Sequence, residues 1–235
     1  FRSENTLESC IKSVIDQSYE GIEFIVVDGG STDGTLDILR RYDNKISFWM
    51  SERDRGIYDA MNKGVRHATG ARILFLGCDD ILSADLRNVA PLLTHTNTIY
   101  YGDAYWLGRQ RLYNGRFTTA KLARTNICHQ AIFYPRAVFN KYAFNLRYSL
   151  QADWELTMRC FSDPEFRFQY IPLQVAIYND LNGLSSVRRD FALEQDYIIL
   201  MWRHFPWPIA LWRTAIALGG RCLHRLGWKG INHDP

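Results

Sequence analysis

The sequence lacks the cysteine patterns that mark disulfide-rich domains and structural zinc sites. Its five cysteines are odd in number and widely separated, and none belongs to a C-x-x-C motif. Disulfide frameworks need paired cysteines and zinc sites need closely spaced ones, so we predict neither. The pattern fits a reducing environment, and we expect a cytoplasmic protein.

The sequence also lacks strong charge of either sign. Its formal net charge at pH 7 is +3 and its pI is about 8.6, which is too mild to indicate nucleic acid as a partner. No signal peptide is visible, and no internal repeat or low-complexity linker interrupts the 235 residues. The chain opens at Phe1 on a loop-like stretch, so we expect an N-terminal piece to precede it.

What the sequence does contain is two short apolar runs that each end in carboxylates. Residues 24–27 lead to Asp28, and residues 72–78 lead to Asp79 and Asp80. Such runs are typical of strands that are buried on both faces of a parallel sheet. Ligands of open α/β sheets bind beyond the carboxyl ends of the strands, so these acids are candidates for a cation or phosphate site. A simple turn is the structural alternative for Asp79 and Asp80.

Helical and extended patterns alternate through the first 82 residues. Apolar residues at three- and four-residue spacing predict helices over about 5–18, 35–42 and 57–65, and continuous apolar runs predict strands over 23–28, 46–51 and 71–76. This alternation is typical of βα units, which build parallel sheets. Since a right-handed crossover starts from a strand, we expect a strand before the first helix, and the sequence does not contain it.

The third of these helices has a clear apolar face. We expect the following side chains to be buried there: Ile57, Ala60, Met61 and Val65. Asp59, Asn62 and Lys63 would then point partly outward.

From residue 83 onward the two patterns are mixed. Alternating apolar and polar residues predict antiparallel strands over 98–107 and 111–117. Further strands are expected over 128–134 and 167–178, and further helices over 86–93, after Pro135, and over 152–161 and 189–205.

Residues 205–235 form a basic, tryptophan-rich tail. Its Arg213, Arg221, Arg225 and Lys229 are accompanied by a single acid, Asp234. The apolar part is too short and too interrupted to span a bilayer. Tryptophan and basic residues beside an apolar helix are nevertheless typical of a membrane interface, which makes a membrane surface a candidate partner for residues 205–230. The equal alternative is a helix that packs on the same domain or on a second copy.

Three motifs of the first half together resemble family 2 glycosyltransferases, which have the GT-A fold. They are FIVVDGGSTDGT at residues 24–35, DRGIYDAMNKG at 54–64, and ATG followed by FLGCDD within 68–80. Looser matches in the second half are YGD at 101–103, CHQ at 128–130 and ADWE at 152–155. Several ordered motifs at this spacing make the resemblance specific.

The resemblance implies an α/β fold of the GT-A, Rossmann-like type. We expect a mostly parallel central sheet, a mixed second half and a C-terminal helical tail, as in enzymes of bacterial polysaccharide and lipopolysaccharide biosynthesis. The glycosyltransferase domain would cover residues 1–204, with a nucleotide-binding half at 1–82, an acceptor half at 83–204 and the first strand of the family absent. Residues 205–235 would be the tail.

The resemblance also assigns roles on the donor side. Asp28 matches the acid that contacts the nucleotide base, commonly uracil; its structural alternative is to cap the turn that follows. Asp54 and Lys63 match polar positions near the nucleotide-sugar, and Lys63 could equally be a solvated helix residue. Asp79 matches a position that faces the nucleotide-sugar as well.

On the metal and acceptor sides, Asp79 and Asp80 match the metal motif, with Asp80 favoured as the direct ligand. The motif is not a strict Asp-x-Asp, so which of the two carboxylates binds the ion directly stays open. Asp153 matches the catalytic base that deprotonates the acceptor hydroxyl. Trp154 could stack on a sugar or belong to the core, and His129 could lie near the cleft or be structural.

The implied function is inverting transfer of a sugar from a nucleoside-diphosphate sugar, with a UDP-sugar favoured, to a hydroxyl of a glycan or lipid-linked saccharide. Mg²⁺ or Mn²⁺ would be the cofactor. The tail suggests a peripheral location on the inner face of the cell membrane. One alternative is a silent module that binds a glycan or membrane partner. The other is a sugar nucleotidyltransferase, which needs a glycine-rich loop, and residues 1–7 contain no glycine.

Overall fold

The computed structural model describes residues 2–113, 115–181 and 189–225 of the chain, and the side chains as far as residue 219. The helices are α1 (Leu7–Ile15), α2 (Thr35–Arg41), α3 (Ile57–His67), α4 (Leu86–Val89), α5 (Thr119–Leu122), α6 (Arg136–Lys141), α7 (Ala152–Ser162), α8 (Phe191–His204) and α9 (Trp207–Arg225). Short 3₁₀ turns lie at Asp43–Lys45, Ala90–Leu92 and His129–Ala131. The strands are β1 (Ile25–Asp28), β2 (Phe48–Ser51), β3 (Arg72–Ile73), β4 (Ile81–Leu82), β5 (Thr98–Trp106), β6 (Arg111–Tyr113), β7 (Ile132–Pro135) and β8 (Arg167–Tyr178).

These strands form two sheets. β1 and β2 pair in parallel, and the larger sheet has the order β3-β7-β5-β8-β4, with β6 paired to β5. Within the described residues β5 and β8 are also parallel, whereas the other four pairs are antiparallel. The predicted antiparallel strands are confirmed as β5 and β6. Parallel pairing is less extensive than predicted for the central sheet, because each sheet has one parallel pair among the residues that the structure describes.

A cleft of about 2050 Å³ lies between the two sheets. Residues of β1 and residues 71–78 line it. The predicted strand over 71–76 extends only through Arg72–Ile73. Residues 74–78 are half-buried instead of fully buried, since one side of this segment faces the cleft.

Helix α3 lines the same cleft. For this reason some of its side chains differ in burial from the prediction. Ile57 is 43% exposed, because this end of the apolar face borders the cleft and not the core. Asp59 and Lys63, predicted to point outward, are buried. Their charges are paired, with Asp59 Oδ1 3.4 Å from the Arg55 guanidinium and Asp59 Oδ2 3.8 Å from Lys63 Nζ.

The main hydrophobic core lies between the larger sheet and helices α7 and α8. Tyr134, Leu156, Met158 and Met201 are among its fully buried side chains. Trp154 belongs to this core too, and its indole N–H donates to the carbonyl of Leu122 at 2.9 Å. The core therefore holds α7, and with it Asp153, in a fixed place beside the cleft.

Helix α9 packs back on α8, which agrees with the alternative of a C-terminal helix on the same domain. Ala210 is fully buried in the main core. Trp202 Nε1 of α8 donates to Thr214 Oγ1 at 3.0 Å, and Arg213 Nε donates to Tyr197 OH at 2.5 Å. None of the helices in the described residues is long and apolar enough to cross a membrane. The end of the predicted tail, residues 226–235, lies outside the described residues.

Candidate functional site

Acids from three separate segments converge on the cleft. Asp54, from the loop before α3, and the pair Asp79 and Asp80 line it together with Asp153 from the first turn of α7. Like charges gathered in one cleft favour the binding of a cation. Asp28 and Lys63, which the sequence also singles out, are buried and contact the loops that border the cleft.

Asp28 closes the turn that follows β1. Its carboxylate accepts hydrogen bonds from the N–H groups of Gly30 at 3.0 Å and Ser31 at 2.8 Å. It also accepts from the hydroxyls of Ser31 at 2.5 Å and Ser51 at 2.6 Å. Burial alone would raise the pKa of Asp28, but the hydroxyl and amide donors outweigh it and the pKa is lowered. The turn role is therefore present, and contact with a nucleotide base stays a prediction.

Asp54 packs against the same turn. Its Oδ1 accepts from the N–H of Gly56 at 2.9 Å. A Cβ built on Gly29 would lie 2.4 Å from Asp54 Oδ2, so a side chain at position 29 would displace the Asp54 carboxylate. The loop after β1 and the loop before α3 thus form one wall of the cleft.

Lys63 fastens the loop that carries Asp54 to helix α3. Its ammonium lies 2.7 Å from Glu52 Oε1 and donates to the carbonyl of Arg53 at 3.1 Å. The alternative of a solvated helix residue is wrong, because Lys63 is only 7% exposed. A place beside the nucleotide-sugar stays a prediction.

Asp80 is held by the protein from three directions. It is 1% exposed and accepts from Gly77 N at 3.0 Å, Gln130 Nε2 at 2.9 Å and Asn179 N at 2.9 Å. Burial raises the pKa of Asp80, and the hydrogen bonds from Asn179 and Gln130 only partly oppose this. Asp79 is half-buried and lines the cleft, and no described side chain donates to it.

The two carboxylates fit a divalent cation whose remaining ligands come from the substrate. Within the described residues no group of three or more acids, histidines or cysteines could hold a metal ion alone. Mg²⁺ is usually bound through one or two carboxylates, with substrate phosphates and water as the other ligands. Asp79 meets this requirement best, since its oxygens are not already used by protein donors.

Asp153 lies in a dense hydrogen-bond network. Oδ1 accepts from Trp154 N at 2.9 Å and lies 2.8 Å from Tyr58 OH, whose single proton is equally within reach of the Leu150 carbonyl. Oδ2 accepts from Asn126 Nδ2 at 2.8 Å and His129 Nδ1 at 2.9 Å. Asp153 therefore joins side chains of α3 and of the segment before β7 to the first turn of α7.

The 3₁₀ turn at His129–Ala131 joins the two ends of the site. His129 bonds to Asp153, and the next residue, Gln130, bonds to Asp80. His129 Nε2 is buried and has no hydrogen-bond partner among the described residues. Sequence reasoning named His129 without a role and left out the partners Tyr58, Asn126 and Asn179. Tyr58, one turn before Met61 on the buried side of α3, had a usable signal; the two asparagines lie in loops and had none.

The architecture is that of GT-A glycosyltransferases. S. aureus TarS 1-349 in complex with UDP-GlcNAc matches with a TM-score of 0.67 and 17% identity, over 86% of this chain and 64% of that one. The mannosyltransferase PcManGT from Pyrobaculum calidifontis, in complex with GDP-Man and Mn²⁺, matches with a TM-score of 0.68 and 18% identity, over 92% and 66%. The chain spans 41% of the length of a longer TarS structure. At these identities the likeness concerns the fold.

Sequence comparison gives the family. The model of glycosyl transferase family 2 matches residues 1–156. The PGL/p-HBAD biosynthesis glycosyltransferase of Mycobacterium bovis is 41% identical over 189 residues, which cover 77% of this chain and 74% of that protein. The cholesterol galactosyltransferase of Borreliella burgdorferi is 33% identical over 91 residues, 38% of this chain and 25% of that protein. The chain belongs to glycosyl transferase family 2, and a sugar nucleotidyltransferase is thereby excluded.

Proposed function

We propose that this chain transfers a sugar from a nucleoside-diphosphate sugar, with a UDP-sugar favoured, to a hydroxyl of a glycan or lipid-linked saccharide in the synthesis of cell-surface glycans. The observation that carries the proposal is the cleft that Asp79, Asp80 and Asp153 line together. The complexes of TarS with UDP-GlcNAc and of PcManGT with GDP-Man and Mn²⁺ support the donor class and the cation.

The chemistry we propose is direct displacement with inversion at the anomeric carbon. The acceptor oxygen forms a bond to that carbon, while the bond from the carbon to the diphosphate oxygen breaks and its electron pair leaves with the nucleotide. The acceptor hydroxyl loses its proton in the same step. We propose that Asp153, which lines the cleft, is the base that accepts this proton.

The cation would bind at Asp79, with Asp80 fixing the loop. When bound, Mg²⁺ or Mn²⁺ would neutralise the charge that develops on the leaving diphosphate. Asp80 has three protein donors on its oxygens, so its contribution would be to hold the loop that presents Asp79. Asp28 and Asp54 border the wall on which we place the nucleotide, and Lys63 holds that wall in position.

Calorimetric titration with UDP, with and without Mn²⁺, tests the donor side. We expect Mn²⁺ to tighten UDP binding, and Asp79→Asn to remove most of this effect, about tenfold or more in affinity. Asp37→Asn is a matched control, because it removes an exposed acid on α2 that does not line the cleft. A UDP affinity that changes neither with Mn²⁺ nor with Asp79→Asn would refute the metal site. The absence of any nucleotide binding would favour a silent module.

We also propose that α8 and α9 present a membrane-binding surface, which would place the enzyme at the inner face of the membrane. Their large apolar side chains that are at least 43% exposed are Phe191, Ile199, Trp202, Trp207, Leu211, Trp212, Ile216 and Leu218. The sequence from residue 205 to 233 has basic residues and no acid, which suits anionic lipid headgroups. The similarity to the cholesterol galactosyltransferase of Borreliella burgdorferi supports an acceptor of lipid character.

Co-sedimentation with phosphatidylcholine vesicles, with and without phosphatidylglycerol, tests this surface. We expect the double variant Trp207→Ser, Leu211→Ser to lose at least half of its binding to the anionic vesicles. The double variant Leu92→Ser, Leu112→Ser removes similarly exposed apolar side chains elsewhere and should bind like the wild type. Equal binding by both double variants would exclude α9 as the contact.

A further inference from the structure

Residues 122–126 lead from the end of α5 to the cleft, and side chains of two other helices hold the start of this segment. Trp154 Nε1 of α7 donates to the carbonyl of Leu122 at 2.9 Å. Tyr197 OH of α8 donates to the carbonyl of Ala123, also at 2.9 Å. Leu122 and Ala123 are buried, where a backbone carbonyl without a partner is costly, so the two hydrogen bonds fix the path of the backbone.

The end of the same segment contacts Asp153. Arg124, Thr125 and Asn126 line the cleft, and Asn126 Nδ2 donates to Asp153 Oδ2 at 2.8 Å. This hydrogen bond helps to set the orientation of the carboxylate. Since Ala123 and Asn126 are only three residues apart, a shift of the backbone at Ala123 would change the position from which Asn126 reaches Asp153.

Helix α9 is connected to this segment through Tyr197. Arg213 Nε of α9 donates to Tyr197 OH at 2.5 Å, and the hydroxyl donates its own proton to the carbonyl of Ala123. Because a guanidinium only donates and a carbonyl only accepts, the directions of both hydrogen bonds are determined. Burial raises the pKa of Tyr197, so its hydroxyl keeps this proton at neutral pH. Successive hydrogen bonds of this kind strengthen one another.

We propose that helix α9 helps to orient the catalytic base, with Tyr197 as the positioning residue; this rests on the proposed function, in which Asp153 is the base. The path of contacts runs from Arg213 through Tyr197 to Ala123, and along the segment to Asn126. Neither Arg213 nor Tyr197 lines the cleft, so both act through other residues. The helix that we place at the membrane surface therefore also shapes the acceptor side of the cleft.

Tyr197→Phe tests this path, because phenylalanine keeps the ring beside Trp154, at a centroid distance of 6.1 Å, and removes the hydroxyl. A small misplacement of a reacting group is costly, so we expect kcat for transfer to fall about tenfold, while Mn²⁺-dependent UDP affinity stays within about twofold of wild type. Nucleotide release is measured from UDP-sugars and GDP-mannose with octyl glycosides as acceptors, using the donor that the wild type consumes.

Tyr142→Phe is the matched control. It also removes a hydroxyl from a half-buried tyrosine, which donates to Asp163 at 2.7 Å and does not line the cleft. We expect its kcat to equal that of the wild type. A loss shared by both variants would come from lower stability and not from the path through Tyr197.

A double-mutant cycle separates positioning from a general loss of packing. If Tyr197 acts through Asn126, the losses in kcat of Tyr197→Phe and Asn126→Ala should not multiply, and the double variant should be as active as Asn126→Ala alone. Arg213→Met keeps the length of the side chain and removes the donor to Tyr197. It should lower kcat in the same direction and leave UDP affinity unchanged.

Side-chain amide ¹⁵N NMR reports the position of Asn126 without turnover. The signal of this amide is assigned by its loss in Asn126→Ala. We expect it to shift in Tyr197→Phe and to stay in place in Tyr142→Phe.

A kcat of Tyr197→Phe within about threefold of wild type, or losses that multiply in the double variant, would overturn the proposal. An Asn126 signal that does not shift in Tyr197→Phe would do the same. A wild-type chain that consumes no donor would instead contradict the proposed function, and the NMR comparison would still decide whether Tyr197 positions Asn126.

Discussion

Asp80 folds back over Gly77, and this contact depends on the missing side chain of the glycine. A Cβ at position 77 would lie 2.5 Å from Asp80 Oδ2, the atom that accepts from Gly77 N and Gln130 Nε2. The residue before the acidic pair is thus part of the site, because it decides where the buried carboxylate can lie.

Gly77→Ala should push Asp80 away from both donors. We expect a loss of about 1–3 kcal/mol in the free energy of unfolding, the usual effect of disrupting a buried hydrogen bond, and weaker Mn²⁺-dependent UDP binding. Urea denaturation and calorimetry measure the two effects. Gly219→Ala is the control, because a Cβ there meets nothing within 4 Å and alanine favours a helix. An unchanged Gly77→Ala protein would mean that Asp80 can move at no cost.

At this scale the sequence predicts the acids better than their partners. Asp79, Asp80 and Asp153 could be located because each follows a strand pattern or opens a helix. Gln130 and Asn179 donate to Asp80 although they are 50 and 99 residues away in the sequence. A local sequence pattern does not predict contacts between residues so far apart. The same applies to Asp28, whose turn role follows from the next three residues while its bond to Ser51 does not.

Among the elements, α8 ends in a histidine whose charge is suppressed. His204 Nδ1 hydrogen-bonds to Ser162 Oγ at 2.8 Å. Burial, with Arg203 and Arg159 nearby, lowers the pKa of His204 from 6.5 to about 4. Between these two values the unfolded chain binds a proton that the folded chain does not, so stability falls as the pH falls through this window.

The free energy of unfolding should therefore drop between pH 7 and pH 5 by at most about 2 kcal/mol because of His204. The comparison protein is His204→Gln, which keeps a polar partner for Ser162 and does not titrate. Urea denaturation of both proteins at the two pH values isolates the contribution. Parallel pH profiles for the two proteins would show that His204 is solvated in the folded chain.

The prediction of helices and strands was correct where the local sequence pattern determines the structure. It was wrong where contacts with a neighbouring strand or loop determine it. The helix at Ala152–Ser162 and the strand at Arg167–Tyr178 agree with the predicted ranges to within a residue. Strand β3 stops at Ile73 because a strand requires a partner, and only β7 pairs with it in the described residues. The buried charges of α3 escaped prediction because Lys63 finds Glu52 and Arg53 in a loop that precedes the helix.

For the molecule as a whole, the cleft leaves an apolar sheet edge open. Within the described residues β1 pairs only with β2, and Ile25 and Val27 line the cleft, as Leu74 and Leu76 do. A ligand that enters the cleft at this edge therefore meets apolar side chains as well as the acids.

The 3₁₀ turn at His129–Ala131 has a consequence for the order of events in a catalytic cycle. Two adjacent residues contact the two ends of the site, Gln130 at Asp80 and His129 at Asp153. Any shift of Asp80 on binding of nucleotide and cation would reach the acceptor side through one peptide unit. By thermodynamic reciprocity, a donor that improves acceptor affinity is itself bound more tightly once the acceptor is present. The two substrates of this enzyme should therefore bind cooperatively, with the turn as the link between them.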